Sequence, residues 1–243
     1  MEQDVFEIID GDYNKNLLLI ADHASNYMPA SYNGLGLSDA QLARHIAYDI
    51  GVKEFTIKLA KKLNVPAVLS KFSRLLIDPN RGVDDPTLVM RLADGEIVEG
   101  NRNIDNVEKL NRIERFYKPY DDAILKTIGR FEEPPTLFSI HSFTPIWRGN
   151  KRSTEVGLLW NEEYRFTKRL FDALSMDTDY IVDENRPYFG GLDGDTMDRH
   201  GLKLGLEHSL LELRQDYMST TDGINEWVDV FASILPKTVK NYT

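Results

Sequence analysis

The chain has 243 residues and no cysteine, so disulfides and thiolate metal sites are excluded. Its hydrophobic content of 42% and its charged content of 28% are ordinary for a globular protein, and the length suits one α/β domain. The formal net charge of −10 argues against binding to nucleic acid, which requires a basic surface. We expect a single domain over residues 1–243.

No stretch of the sequence predicts a targeting or membrane-spanning segment. The first seven residues are acidic and lack the basic and apolar regions of a signal peptide. No apolar run approaches membrane-spanning length. We therefore expect a protein of the cytoplasm that binds neither membrane nor nucleic acid.

Apolar periodicity predicts alternating strands and helices along the chain. The predicted strands are 17–21, 66–70, 136–140, 156–160, 179–182 and a last one that runs from His208 towards Asp216. The predicted helices are 39–63, 105–130 with a kink or break at Pro119, 161–175 and one that begins at Thr221. Residues 84–103 are rich in Asp, Gly and Asn and indicate a long loop or a small hairpin.

This alternation predicts an α/β fold with a mixed, mostly parallel sheet and helices on both faces. In such sheets, ligands bind beyond the carboxyl ends of the strands. His23, His141 and Glu212 each lie at or near the carboxyl end of a predicted strand, so we expect them to lie close together. Period-two alternation places Leu211 and Leu213 on one face of the last strand, opposite Glu212.

Two histidines and a glutamate at strand ends indicate a catalytic divalent metal, for which zinc is the expected ion. Such a metal activates a water molecule, and a carboxylate such as Glu212 accepts its proton. The third protein ligand is left open by the sequence. The candidates are Asn26, Asp22 and Asp49.

Arginines are concentrated in one stretch of this acidic chain. Guanidinium groups bind carboxylates through paired hydrogen bonds, and an asparagine amide adds directional contacts. The stretch therefore predicts an anion-binding site for a small acidic substrate. The residues concerned are Arg74, Asn80, Arg81, Arg91 and Arg102, with Asp78 as a carboxylate that orients an arginine.

Several short motifs occur in a fixed order along roughly residues 17–218, and together they are more specific than any one of them. They are 22–26 (DHASN), 45–51 (HIAYDIG), 73–74 (SR), 80–81 (NR), 100–101 (GN), 119–120 (PY), 140–143 (IHSF), 194–196 (GDT) with His200, and 212–216 (ELRQD). In these motifs the chain resembles the N-formylglutamate amidohydrolase family, which is distantly similar to zinc carboxypeptidase-type exopeptidases.

The resemblance implies a zinc-exopeptidase-like fold and assigns roles to individual residues. His23 and His141 become metal ligands and Glu212 the general base. The substrate-binding residues become Arg74, Asn80, Arg81, Thr196 and His200, with Arg81 also acting in catalysis. Two positions depart from the expected pattern. Asn26 stands where the exopeptidases have glutamate, and Asp121 stands where the family has histidine.

The resemblance implies hydrolysis of an N-acyl acidic amino acid, with N-formyl-L-glutamate giving formate and L-glutamate. Two alternatives stay open. One is a carboxypeptidase-like peptide hydrolase that uses the same site. The other is a non-catalytic binder of acidic small molecules, which Asn26 favours because an amide is a poor replacement for an anionic metal ligand.

Overall fold

A seven-stranded mixed sheet organises the chain in the computed structural model, which describes residues 4–243. The first residues of the acidic N-terminal stretch lie outside this range. The described residues form eleven strands, which are β1 Phe6–Ile9, β2 Leu17–Ala21, β3 Ala67–Ser70, β4 Leu92–Ala93, β5 Glu96–Ile97, β6 Thr136–Phe143, β7 Ile146–Trp147, β8 Asn150–Lys151, β9 Val156–Leu159, β10 Val182–Glu184 and β11 His208–Arg214. Seven of them form the main sheet, and β4 with β5 and β7 with β8 form two separate two-stranded sheets.

Helices cover both faces of this sheet. They are α1 Asp39–Leu42, α2 Val52–Leu63, α3 Glu99–Arg102, α4 Asn106–Arg112, α5 Lys118–Ile128, α6 Arg165–Asp177 and α7 Thr221–Thr238. Short 3₁₀ segments lie at Tyr13–Lys15, Ala30–Gly36 and Gln215–Met218, and π-helical turns at Ile113–Tyr117 and Met197–Leu202. Within residues 4–243, no helix has the length and hydropathy needed to cross a membrane.

The strand order in the main sheet is β1-β3-β2-β6-β11-β9-β10. The four central strands β3, β2, β6 and β11 run parallel. β1 pairs antiparallel to β3, and β9 pairs antiparallel to β11 and parallel to β10. The carboxyl ends of the central strands therefore meet at one edge of the sheet. The predicted fold class, a mixed and mostly parallel sheet with helices on both faces, is confirmed.

The core has two layers, one on each face of the sheet. All five residues of β2 are buried, as expected for a parallel strand covered on both sides. Leu17 and Leu19 pack into the layer that α2, α6 and α7 cover, and Leu18 and Ile20 point into the opposite layer under α5. The continuous apolar run thus results from burial on both faces.

The prediction of one helix over 39–63 is wrong. After α1 the chain turns, and a second helix starts only at Val52, directly after Gly51. Gly51 has φ +82°, and a Cβ there would lie 2.5 Å from the carbonyl oxygen of Met218, so only glycine fits without strain. The break frees residues 43–51 from helical geometry and lets the Asp49 backbone N–H donate to the His23 carbonyl oxygen at 2.9 Å.

Most other elements follow the predictions, but β10 begins at Val182, where the predicted strand 179–182 ends, and β1 was not predicted. The helical pattern over 105–130 becomes α4 and α5 joined by the π-helical turn Ile113–Tyr117. Pro119 lies in the first turn of α5, where a missing N–H is tolerated. The polar stretch 84–103 contains the hairpin of β4 and β5. The strand leading into His141 is longer than predicted, because β6 continues to Phe143.

Gly157 on β9 provides a test of how the sheet holds its functional edge. Its backbone pairs with Glu212 on β11, and an added Cβ would lie 2.0 Å from the Arg186 carbonyl oxygen. We expect Gly157→Ala to lower the free energy of unfolding by about 1–3 kcal/mol, because the backbone around Arg186 must move. Urea unfolding followed by circular dichroism measures this change.

The matched control is Gly129→Ala at the end of α5. Gly129 has φ −66°, and an added Cβ there would make only ordinary contacts at 3.6 and 3.7 Å. This variant is expected to be as stable as the parent or slightly more stable. Equal stability of the two variants would contradict the proposed steric role of Gly157.

Candidate metal centre and active site

Three buried side chains converge at the carboxyl edge of the sheet: His23, Asp49 and His141. His23 follows β2, His141 lies on β6, and Asp49 lies in the turn before α2. The two Nδ1 atoms are 3.2 Å apart, and Asp49 Oδ2 lies 3.3 Å from His23 Nδ1 and 3.0 Å from His141 Nδ1. These separations are close to the edge of a tetrahedron whose metal–ligand bonds are about 2.0–2.1 Å long, which is about 3.3 Å.

The outer nitrogens of both histidines face buried carboxylates. His23 Nε2 lies 2.7 Å from Asp78 Oδ1, and His141 Nε2 lies 3.2 Å from Asp22 Oδ2. When each Nε2 carries the proton and donates it to its carboxylate, each Nδ1 presents a lone pair to the centre. Carboxylates commonly orient metal-binding histidines in this way. The donor set of two imidazole nitrogens and one carboxylate oxygen fits zinc or a similar divalent ion.

The carboxylate of Asp22 is itself held from several sides. Tyr120 and Thr196 donate hydroxyl hydrogen bonds to Oδ1 at 3.1 and 2.8 Å, and Ser139 donates to Oδ2 at 3.1 Å. Burial raises the pKa of Asp22, but the hydrogen bond and charge of His141 outweigh it, and the net shift is downward. Asp22 therefore stays ionised and fixes the His141 ring.

The cluster strongly attracts positive charge. Burial alone lowers the pKa of His141, yet hydrogen bonds to Asp22 and Asp49 raise it to about 10. Burial opposes ionisation of Asp78, but the charges of Arg74 and His23 hold its pKa well below the usual value. A buried group of carboxylates and imidazoles with these properties needs a cation at its centre, whether a proton or a metal ion.

Glu212 lies beside this cluster, as predicted from the strand pattern. Its backbone on β11 is directly opposite His141 on β6, so both side chains point to the same face. Leu211 and Leu213 point the other way into the core, which confirms the predicted alternation. Burial raises the pKa of Glu212 to about 8, and its Oε2 atom is buried with no hydrogen-bond partner within residues 4–243.

Arg214 lies two residues after Glu212 in the sequence, but its guanidinium pairs with other carboxylates. Arg214 donates to Asp216 at 2.8 Å and to Glu155 at 3.3 Å, so it braces the end of β11. Arg74 is the arginine whose charge acts on Glu212, with Arg152 as a second one.

Arg74, Asn80 and Arg81 line the same cavity of about 240 Å³ as the metal cluster and Glu212. Arg74 pairs with Asp78 at 2.8 Å, which confirms that Asp78 orients an arginine, and its buried Nε has no partner within residues 4–243. Arg81 donates to Thr87 and to the Asn80 carbonyl oxygen. Arg91 and Arg102 are exposed and lie outside the cavity wall. Of the predicted anion-binding residues, the cavity therefore contains only Arg74, Asn80 and Arg81.

Asn26 is not placed to be the third ligand. It is exposed, and its amide donates to the Leu42 carbonyl oxygen at 3.0 Å. The loop after β2 carries it away from the cluster, and the turn before α2 brings Asp49 in instead. Asp49, one of the three residues that the sequence left open, completes the donor set.

Thr196 and His200 are also placed differently from the prediction. Both are buried and neither contributes to the cavity wall. Thr196 donates its backbone N–H to Asn80 Oδ1 at 3.0 Å, and His200 Nε2 lies 2.7 Å from Asp121. Thr196 thus orients Asn80 and Asp22, and His200 ties a π-helical turn to α5.

Sequence reasoning missed an apolar side of the cavity. Its residues come from five separate segments, and all of them except Phe143 lie outside the motifs that carry the family resemblance. They are Phe143, Trp147, Leu159, Tyr188, Phe189 and Leu210. His45 also lines the cavity, and it comes from the turn between α1 and α2.

A family model described as N-formylglutamate amidohydrolase matches residues 15–219, which is most of the chain. The chain belongs to the N-formylglutamate amidohydrolase family. The matched range contains His23, Asp49, His141 and Glu212. No curated protein matches the chain.

Solved structures share the fold. A gene product of Agrobacterium tumefaciens is 26% identical with a TM-score of 0.90, over 97% of this chain and 95% of the other. An N-formylglutamate amidohydrolase from Ralstonia eutropha is 17% identical with a TM-score of 0.73, over 96% of each chain. A bacteriophage poly-gamma-glutamate hydrolase is 9% identical with a TM-score of 0.51, over 98% and 91%. At their low identities the last two show the fold alone.

The assignment of Asp49 rather than Asn26 to the donor set is directly testable. We expect Asp49→Ala to lose stoichiometric zinc, because it removes the only anionic donor of the cluster. Asn26→Ala is the matched control and is expected to keep the zinc content of the parent protein. Metal analysis after zinc loading and gel filtration measures both. Equal zinc content in Asp49→Ala and the parent would contradict the assignment.

Proposed function

We propose that this protein is a metal-dependent amidohydrolase that cleaves an N-acyl acidic amino acid, with N-formyl-L-glutamate as the reference substrate. The observation that carries the proposal is one cavity that contains the donor cluster, the buried Glu212 carboxyl and two arginines. The family supports hydrolysis of an amide bond. The products of the reference reaction are formate and L-glutamate.

We propose zinc as the metal, held by His23, Asp49 and His141. A zinc ion in this position acts as a Lewis acid and lowers the pKa of water. Asp78 and Asp22 hold the two imidazoles in the orientation that ligation requires. All three donors are almost fully buried.

Glu212 is the proposed general base. It accepts a proton from the water molecule that attacks the acyl carbon, and it passes that proton to the leaving amide nitrogen as the carbon–nitrogen bond breaks. Burial raises the pKa of Glu212 above its usual value, and a carboxyl whose pKa is raised towards neutral pH is suited both to accept a proton and to release it. Its unpartnered Oε2 is available for the water.

Arg74, Asn80 and Arg81 are the proposed binders of the substrate carboxylates. Arg74 is already anchored by Asp78 and Asp49, so its position changes little when a substrate binds. Arg81 is held by two weaker, neutral acceptors and keeps capacity for an anionic partner. Either arginine can also stabilise the oxyanion that forms on the acyl oxygen.

A carboxypeptidase-like peptide hydrolase would use the same groups, and a panel of N-formyl, N-acetyl and dipeptide substrates separates the two activities. The non-catalytic binder loses its main support, because Asn26 lies outside the donor cluster and Asp49 supplies the anionic ligand. Location in the cytoplasm stays a prediction.

Replacement of the proposed base tests the mechanism. We expect Glu212→Gln to lower kcat for N-formyl-L-glutamate by about 10²–10⁴-fold, because an amide cannot accept the proton. Zinc content is expected to stay unchanged, since Glu212 is not in the donor set. The control is Glu207→Gln, one residue before β11, where the side chain pairs with Arg169. Near-normal formate release by Glu212→Gln would remove Glu212 from the mechanism.

Removal of one arginine tests the binding of the substrate carboxylate. We expect Arg81→Ala to raise KM for N-formyl-L-glutamate by about tenfold or more, because one charge-assisted hydrogen-bonded contact is lost. Arg91→Ala removes an exposed arginine outside the cavity and is the matched control. Initial rates of formate release over a range of substrate concentrations measure both. An unchanged KM in Arg81→Ala would contradict the assignment.

A further inference from the structure

The cavity has two chemically different sides, and the order of the strands separates them. Arg74, Asn80 and Arg81 lie on the segment that follows β3. The two histidine donors follow β2 and lie on β6, and Glu212 lies on β11, which are the next strands across the sheet, while Asp49 comes from the turn before α2. Leu159 lies on β9, beyond β11. The reacting groups therefore lie between a basic side and an apolar side.

The apolar side, which we call the acyl wall, has six residues. They are Phe143, Trp147, Leu159, Tyr188, Phe189 and Leu210. Leu159 and Leu210 are paired across β9 and β11 and form its floor. Trp147, Tyr188 and Phe189 form its rim and are 37, 44 and 61% exposed. Large apolar side chains left open around a polar site indicate a surface that binds an apolar group.

One arginine holds three rings of the acyl wall together. The Arg152 guanidinium lies 5.3 Å from the ring centre of Phe143, 5.4 Å from that of Trp147 and 5.2 Å from that of Tyr188. It also donates to the Tyr188 hydroxyl at 3.1 Å. Contacts of this kind between a cation and three rings fix the rings relative to one another. A preformed wall binds its ligand at a lower entropic cost.

We propose that the acyl wall binds the acyl group of the substrate, and that the preferred substrates are acidic amino acids whose nitrogen carries a medium-chain or aromatic acyl group. The proposal rests on the proposed function, since the basic side is assigned to the amino-acid carboxylates. An amide bond at Glu212 and the donor cluster then directs its amino-acid half towards Arg74 and Arg81. Its acyl half points towards Leu159, Leu210 and the aromatic rim.

A formyl group is too small to use this surface. It has one carbon and therefore leaves the rim residues Trp147, Tyr188 and Phe189 uncovered. A benzoyl ring or a chain of several carbons covers them and gains hydrophobic binding energy in proportion to the area removed from water. The reaction is otherwise the same: water adds to the acyl carbon, the carbon–nitrogen bond breaks, and a carboxylic acid and a free amino acid leave.

The test compares N-formyl-, N-acetyl-, N-butanoyl- and N-benzoyl-L-glutamate as substrates of the zinc-loaded full chain. Release of L-glutamate gives kcat/KM for each. We expect kcat/KM to rise by about fourfold for each methylene that the wall covers. A kcat/KM that is flat or falls from formyl to benzoyl, with formyl cleaved, overturns the proposal and leaves the proposed function standing.

Variants on the rim localise the effect. Phe189→Ala removes the most exposed ring of the wall and is expected to lower the ratio of kcat/KM for N-benzoyl- over N-formyl-L-glutamate by about tenfold or more. Ile146→Ala is the matched control, because Ile146 is 59% exposed on the same rim hairpin as Trp147 and lies outside the cavity wall. It is expected to keep the parent ratio. An unchanged ratio in Phe189→Ala overturns the assignment of the wall.

A binding measurement separates failure of this proposal from failure of the proposed function. The zinc-loaded Glu212→Gln variant is titrated with N-benzoyl- and N-formyl-L-glutamate by isothermal titration calorimetry, so that binding is measured without turnover. Binding of the benzoyl compound that is at least tenfold tighter supports the acyl wall. If the parent protein cleaves none of the substrates, the hydrolase proposal fails, but this binding result still supports the acyl wall. Equal affinities overturn the acyl wall.

Discussion

Three carboxylates and two imidazoles are buried together at the carboxyl edge of the sheet, and the rest of the site depends on how their charge is balanced. Asp22, Asp49 and Asp78 are all buried around the rings of His23 and His141. Ionised carboxylates removed from water are strongly unfavourable unless positive charge or hydrogen-bond donors lie close by. Arg74 and the hydroxyl groups around Asp22 supply part of that compensation, and a cation at the two Nδ1 atoms, either a proton or a metal ion, would supply the rest.

The sheet makes this arrangement possible by presenting groups from rigid strands. β2 and β6 carry or precede the two histidines, and β11 carries Glu212 directly opposite His141. Both faces of these strands are covered, so their backbones have little freedom to move. The remaining groups, Asp49, Arg74 and Asp78, come from turns, and their backbone N–H groups donate to the carbonyl oxygens of His23, Ala47 and Leu88 respectively. Rigid strands thus position His141 and Glu212, and charged residues in the turns shift the pKa values of the clustered side chains.

The cavity is asymmetric, and this asymmetry relates the chemistry to substrate choice. Strand order places the arginines on one side of the donor cluster and the aromatic rim on the other. In the proposed hydrolysis of N-formyl-L-glutamate, the carboxylates of glutamate explain the arginines on the basic side of the cavity, but nothing in that substrate explains the aromatic side. The exposed rings held by Arg152 have no role in the proposed reference reaction, and the proposed acyl wall assigns them one.

Much of the fold and part of the site were determined by the sequence itself. The apolar run of β2 and the period-two pattern of β11 are local signals, and they correctly placed His23, His141 and Glu212 at one edge of a mixed sheet. Side-chain direction along a strand follows from its geometry, so no knowledge of distant contacts was needed.

Only the tertiary structure decided the third donor and the two-sided cavity. Asp49 reaches the cluster because the chain breaks its helical pattern before Gly51, and that break depends on a close approach to Met218, far away in the sequence. Asn26, three residues after His23, is turned outward by its loop. Thr196 and the acyl wall likewise depend on segments that are distant in sequence and meet only after folding, because packing across the sheet, rather than local spacing, sets which side chains face one another.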